Sequence, residues 1–300
     1  MDVSQTRRRV NLGLVAFVAA LATLLAALAP AARAQSNYVA LGDSFTAGPL
    51  IPLQIAPFGC FKSNNNYPHL LRDDFGLPLR DASCSGAETD DLWSSQNVTL
   101  ADPPAQFERL GSDTQVVTVG IGGNDIGFSE IIRNCTSRTS PYGRPCQDRY
   151  AQGNTDVISQ RIEETAPKIA AVLDEIDRRS PQADIYWVNY LPILPDTGKG
   201  CWPQVPIAYD DVPYLRDKHN ELNDMLAEQV GEYNSSTGDD AQVVDAYQAG
   251  IGKDACQRPG RRWVEPALPL AAAAPYHPNF EGTVRTPPMR LCAALRFAST

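Results

Sequence analysis

"YVALGDSFTAG", residues Tyr38 to Gly48, decides how the chain is read. The apolar run Tyr38–Leu41 has strand character and stops at Gly42-Asp43-Ser44. A short buried strand that enters a glycine turn and then a helix is the opening unit of an α/β protein. Ser44 stands at the switch. It is either a helix N-cap or a nucleophile displayed at the carboxyl edge of a sheet. The local string allows both.

The same alternation continues along the chain. "QVVTV" (Gln115–Val119), "ADIYWVNY" (Ala183–Tyr190) and "AQVVD" (Ala241–Asp245) read as strands. Tyr67–Phe75 reads as a short helix. Asp156–Arg179 carries Ile158, Ile162, Ile169, Val172 and Ile176 at helical spacing, and Pro213–Tyr233 carries Leu215, Leu222, Leu226 and Val230. Pro167 either kinks the first of these or starts its second half. Strands separated by helices predict a three-layer α/β/α sandwich around a parallel sheet. Ligands then sit outside the carboxyl ends of the strands. Two long loops, Leu50–Asn66 and Gly250–Pro275, are candidates for function.

The N-terminus has a different character. Arg7, Arg8 and Arg9 precede an apolar run from Val10 to Pro30, and Ala32-Arg33-Ala34 follows. That order predicts a secretory signal over residues 1–34, by the general or the twin-arginine route. The mature domain is then residues 35–300, secreted and without stable membrane insertion. The first 34 residues carry a net charge of +3, so the remainder of this −9 chain is near −12. Such an acidic surface argues against nucleic acid as a partner. Seven cysteines without a C-x-x-C pair suit disulfides in an oxidising compartment, and counting alone leaves 105 pairings.

A serine nucleophile needs a base, and the chain has three histidines. His219 ("LRDKHNEL") lies among charges in a helix and reads as a surface or packing residue. His69 ("NNNYPHLL") lies at a helix start. His277 ("APYHPN") lies in a late loop after the last strand, a good place for a base. "VGIGGNDIG" (Val119–Gly127) brings the Asn124 amide to the same sheet edge, where it can donate to an oxyanion. Gly86 in "CSGAETDDL" offers a backbone N–H there. G-x-S-x-G, G-x-G-x-x-G, Walker and H-E-x-x-H patterns are all missing.

In order, G-D-S at 42–44, Gly86, G-x-N-D at 122–125 and H-P-N at 277–279 resemble the SGNH hydrolases, or GDSL esterases and lipases. "GDSFTAGPLIP", "NNNYP" and "GIGGNDIGF" are similar to their secreted, disulfide-bonded actinobacterial branch. The resemblance implies a flavodoxin-like α/β/α fold and a monomeric carboxylester hydrolase with no metal or cofactor. Ser44 would be the nucleophile and His277 the base. The Ser44 and Gly86 N–H groups and the Asn124 amide would form the oxyanion hole. It also implies the disulfides Cys60–Cys84, Cys135–Cys146 and Cys201–Cys256, with Cys292 free.

Two departures stand out. Ala274 occupies the place of the usual aspartate three before the histidine, so its main-chain carbonyl is expected to orient His277, with Asp245 as the alternative. The tail from residue 283 is atypical. Pro287-Pro288 interrupts any closing helix and leaves at most a short one over Met289–Ala298. The apolar loop Leu50, Ile51, Pro52, Leu53, Ile55, Pro57 and Phe58 either receives an acyl chain, favouring fatty-acyl or lipid esters, or packs into the core. A carbohydrate deacetylase and a catalytically impaired binding protein are the competing readings.

Overall fold

Five parallel strands form the central sheet of the computed structural model, which describes residues 37–284. They are β1 (Asn37–Gly42), β2 (Leu79–Asp81), β3 (Thr114–Gly120), β4 (Asp184–Val188) and β5 (Gln242–Val244). The order β2-β1-β3-β4-β5 is the flavodoxin-like one, so the expected α/β architecture holds. β2 is the strand that no apolar run marks. Its three half-buried residues pair with β1 alone at the sheet edge, too few to leave a pattern.

The helices are α1 (Ser44–Ala47), α2 (Tyr67–Phe75), α3 (Phe128–Cys135), α4 (Pro145–Tyr150), α5 (Val157–Arg179), α6 (Val212–Thr237), α7 (Ala246–Gly250) and α8 (Phe280–Val284). Right-handed crossovers assign them to faces. The step from β1 to β2 carries α2 one way across the sheet. The steps from β3 to β4 and β5 carry α5 and α6 the other way, onto the opposite face. Sheet residues are therefore enclosed on both sides: Val39, Leu41, Val117 and Val119 are fully buried. The α5 stripe from Ile158 to Ile176 is buried as its spacing predicts. Pro167 does not start a second half: α5 runs through it as one helix. It lies on the exposed side beside Glu163, so water can serve the carbonyl that the proline leaves unbonded.

All three disulfides pair as the resemblance implies. The export signal, Cys292 and the short tail helix lie outside the described residues. Among the described residues no helix is long and apolar enough to cross a membrane.

β1 and β3 stay paired as far as their carboxyl ends, where Gly42 lies opposite Gly120. This is the point where strand order reverses, and it opens a crevice. Gly42 has φ +148°, and a Cβ there would lie 2.3 Å from Thr46 Oγ1 and 2.6 Å from the Gly120 carbonyl. Gly42→Ala should therefore lower stability by more than about 2 kcal/mol, read from the urea midpoint. Gly153→Ala also has positive φ but meets no atom within 4 Å, and should cost about 1 kcal/mol.

Candidate active site

Ser44 opens the single turn α1 directly after β1. Asp43, not Ser44, is the cap: its carboxylate accepts from the Phe45 N–H at 2.8 Å. That leaves the Ser44 hydroxyl for other work. It lies 2.8 Å from His277 Nε2. Two residues on opposite ends of the domain are thus in hydrogen-bond contact.

His277 Nδ1 lies 2.7 Å from the carbonyl of Pro275. The expected partner, Ala274, is displaced by the turn itself. The Ala274 carbonyl accepts from the His277 backbone N–H at 3.2 Å. Pro275 and Tyr276 are the central residues, and Tyr276 has φ +62°. Proline followed by positive φ is the mark of a type II turn, and the carbonyl between those two residues is the one that meets the ring. Asp245 is not involved; it caps α7. Phe45 and Phe128 pack against the imidazole at 5.3 and 6.4 Å between ring centres. Burial among them lowers the His277 pKa, against a smaller opposing effect of the Pro275 carbonyl.

The turn rests on a buried network that local sequence does not reveal. Glu265 brackets it through its backbone: its N–H donates to the His277 carbonyl at 3.0 Å, and its carbonyl accepts from Tyr276 at 2.9 Å. Its carboxylate is fully enclosed and accepts from Arg262 twice (3.0 and 2.7 Å), Asn279 (2.7 Å), and the Leu270 and Ala271 N–H groups. Burial pushes the Glu265 pKa up, but these donors together hold it below the usual value.

Asn124 follows β3 and lines the same cavity as Ser44. Its Nδ2 donates to the Ala87 carbonyl at 2.9 Å, which leaves the second amide hydrogen. Asp125 beside it accepts from the Thr89 hydroxyl and N–H at 2.5 and 3.0 Å. Together they hold the Gly86 loop against the β3 edge. The Cys60–Cys84 bond and the Cys84 N–H to Gly42 carbonyl bond (3.0 Å) hold its other side. Gly86 itself is exposed, with φ +83°. Among the described residues neither the Gly86 nor the Ser44 N–H has an acceptor.

The cavity beside Ser44 has a volume of about 80 Å³ and walls from Ile126, Ile131, Ile193, Ile207, Leu215 and Leu222, among others. The Leu50–Phe58 loop, read either as an acyl receiver or as core, does not line it. Ile51 is core, while Leu50, Leu53 and Phe58 are exposed. His69 is held by Asn66 at 2.7 Å. Of the two readings of His219, surface or packing, packing holds: it stands on the cavity wall with its ring against Tyr247. Among the described residues no group of three or more His, Cys, Asp or Glu is arranged to hold a metal ion.

Beneath the serine, Asp43 is buried and accepts from the Tyr190 hydroxyl at 2.6 Å, which in turn accepts from the Gly123 N–H at 2.7 Å. Burial pushes the Asp43 pKa up to about 7, more than these hydrogen bonds lower it. The folded protein therefore keeps a proton that the unfolded chain gives up near pH 4. Its contribution favours folding at low pH and is lost as pH rises from about 4 to 7. Between pH 5 and pH 8 the wild type should lose about 2–3 kcal/mol more stability than Asp43→Asn, measured by urea unfolding at both values.

The GDSL-like Lipase/Acylhydrolase family model matches residues 40–284. "Lipase 2" of Streptomyces coelicolor is 37% identical over 289 residues, covering 93% of this chain and 94% of that protein. An "Esterase" of Streptomyces scabiei is 25% identical, covering 81% of each. Among solved structures, the extracellular lipase from Streptomyces rimosus superposes with a TM-score of 0.68 at 25% identity, over 86% of this chain and 99% of that one. Phospholipase A1 from Streptomyces albidoflavus has the same fold, with a TM-score of 0.70 at 21% identity over the same shares. Family match, fold and clustered motifs agree: the chain belongs to the GDSL-like lipase/acylhydrolase family and is a carboxylic ester hydrolase.

Proposed function

We propose that the protein is a secreted esterase or lipase that works through a Ser44–His277 dyad and an acyl-enzyme. The observation that carries the reading is the 2.8 Å contact between Ser44 Oγ and His277 Nε2 beside an apolar cavity. Ser44 Oγ attacks the ester carbonyl carbon while Nε2 takes its proton. The Pro275 carbonyl, held at Nδ1, steadies the imidazolium. The Ser44 and Gly86 N–H groups and the free Asn124 amide hydrogen receive the charge on the carbonyl oxygen. Collapse breaks the bond to the alcohol, which leaves with the Nε2 proton. Water then attacks the acyl-serine, His277 again acting as base, and the acid departs.

The acyl group lies in the cavity, whose apolar walls favour chains longer than acetyl. Export is supported by the basic, then apolar, then Ala-x-Ala order of residues 1–34. Three disulfides suit an oxidising destination.

On nitrophenyl esters, kcat/KM should climb from acetyl to butyryl and hexanoyl. Ser44→Ala and His277→Ala should be inactive, and Asn124→Ala should lose about 10²–10³-fold in kcat with little change in KM. Strict acetyl preference, or a Ser44→Ala variant as active as wild type, would sink the reading. A second outcome concerns pH. The base must be neutral, and burial lowers its pKa. Activity should rise with pH through a midpoint below the usual histidine value of about 6.5 and stay level above it. A profile that is flat from pH 4 to 8 would remove His277 as base.

A further inference from the structure

The Gly86 N–H belongs to a peptide that can face two ways. Cys84, Ser85, Gly86 and Ala87 form a β-turn, closed by the Ala87 N–H on the Cys84 carbonyl at 3.2 Å. Gly86 is its third residue, and φ +83° there makes the turn type II. Types I and II differ mainly by a near half-turn of the central peptide, with the flanking residues left in place. Here that peptide carries the Ser85 carbonyl and the Gly86 N–H. It is trans, so the two groups point in opposite directions. Glycine at the third place accepts either sign of φ, so the chain's own conformation does not choose between the two.

The choice is made from outside the turn. Gln96, between β2 and β3, donates from Nε2 to the Ser85 carbonyl at 3.1 Å. Apart from Ser85 and Ala87, the same nitrogen is the one heavy atom among the described residues within 4 Å of where a Gly86 Cβ would lie, at 3.7 Å. Gln96 is buried between the exposed residues Ser95 and Asn97. Its Oε1 is buried too, with no hydrogen-bond partner among the described residues. An apolar side chain would fill this space without leaving an oxygen unpaired. What the glutamine adds is its bond to the central peptide of the turn. The other ties to this loop end elsewhere. The Ser85 N–H donates to the Cys60 carbonyl at 2.9 Å, the Cys84 N–H to Gly42 at 3.0 Å, and Asn124 to the Ala87 carbonyl at 2.9 Å. They fix the flanks of the turn and leave its middle free to rotate.

We propose, on the reading that the Gly86 N–H is an oxyanion donor, that Gln96 is a positioning residue of the oxyanion hole. Its amide holds the Ser85–Gly86 peptide in the type II orientation, with the N–H turned toward the reacting carbonyl oxygen. Flipped, the peptide would present the Ser85 carbonyl to that oxygen, and repulsion would replace attraction. A hydrogen bond to the carbonyl also polarises the N–H of the same peptide and strengthens it as a donor. The effect grows as charge develops on the oxygen, so it belongs to the transition state. Gln96 does not line the cavity beside Ser44, so ester binding does not depend on it.

Two variants test this. Gln96→Met keeps the length and removes the donor. Gln96→Glu keeps the shape and sets a carboxylate against the Ser85 carbonyl. On nitrophenyl butyrate, Gln96→Met should lose roughly tenfold in kcat, the size of one hydrogen bond, with KM within about twofold. Gln96→Glu should lose more. The second readout is a butyl trifluoromethyl ketone. Ser44 Oγ adds to its carbonyl carbon while the serine proton passes to His277, leaving a tetrahedral oxyanion. Its affinity should fall by the same factor as kcat/KM. The midpoint of the pH profile should stay at the wild-type value, since His277 is untouched. Asn124→Ala, on the same assays, is the control for the hole itself. If both Gln96 variants match wild type while Asn124→Ala loses kcat and inhibitor affinity, the inference is overturned and the reading of the site stands. If Asn124→Ala also matches wild type, the oxyanion reading falls with it. A loss carried by KM, or a shifted pH midpoint, also overturns the inference. Should one Gln96 variant fail to fold, the other decides alone. Should both fail, Gln96 is a structural residue and the inference is overturned.

Discussion

The hydrogen bond between Ser44 and His277 joins residues 233 positions apart. No local signal can create such a contact, so the fold exists around the problem of making it. A hydroxyl and an imidazole must meet within a few tenths of an ångström, and misplacement by 1 Å costs about 10²-fold in rate. One side is fixed by the sheet. Gly42 and Gly120 let β1 and β3 lie close, and Asp43 anchors the turn to Tyr190 and Gly120. The other side has no strand beneath it. It is fixed by a turn that Glu265 holds through both its backbone and its carboxylate.

Two buried carboxylates serve as anchors, and the same physics shifts their pKa values in opposite directions. Both pay for removal from water. Glu265 meets a guanidinium, an amide and two backbone N–H groups, and these outweigh burial. Asp43 meets a hydroxyl and one backbone N–H, which do not. The number and charge of donors, more than depth, decides which acid stays ionised. The loop that carries His277 is thus held by a buried ion pair, while the turn that carries Ser44 rests on Asp43, whose pKa burial raises to about 7.

Much of this was legible in the sequence because it depends on short-range rules. Strand runs ending in glycine located β1 and β3, and the ordered motifs identified Ser44, Gly86, Asn124 and His277 as neighbours. Three things were not legible. Arg262 and Glu265 look like ordinary charges in "RRWVEPALP", since burial is a property of the packed domain. The choice of Pro275 over Ala274 depends on Tyr276 adopting positive φ, which an aromatic residue does not advertise. His219, among charged neighbours, could be read only as surface or packing, and the packing alternative is the one the structure shows. Its neighbours on the helix, Leu215 and Leu222, carried the better signal.

Most of the apolar wall of the cavity beside Ser44 comes from segments other than those that carry Ser44, Asn124 and His277. Ile131 and Ile132 lie on α3, Ile193 and Ile207 lie between β4 and α6, and Leu215 and Leu222 lie on α6. The proposed oxyanion donors and the proposed base hang from other loops. Selection can therefore reshape what the enzyme feeds on, one side chain at a time, while inherited reaction chemistry stays untouched. Divergence within a lineage should accumulate on that helical wall first, and a genome carrying several copies of such a gene could divide its substrates by that route alone.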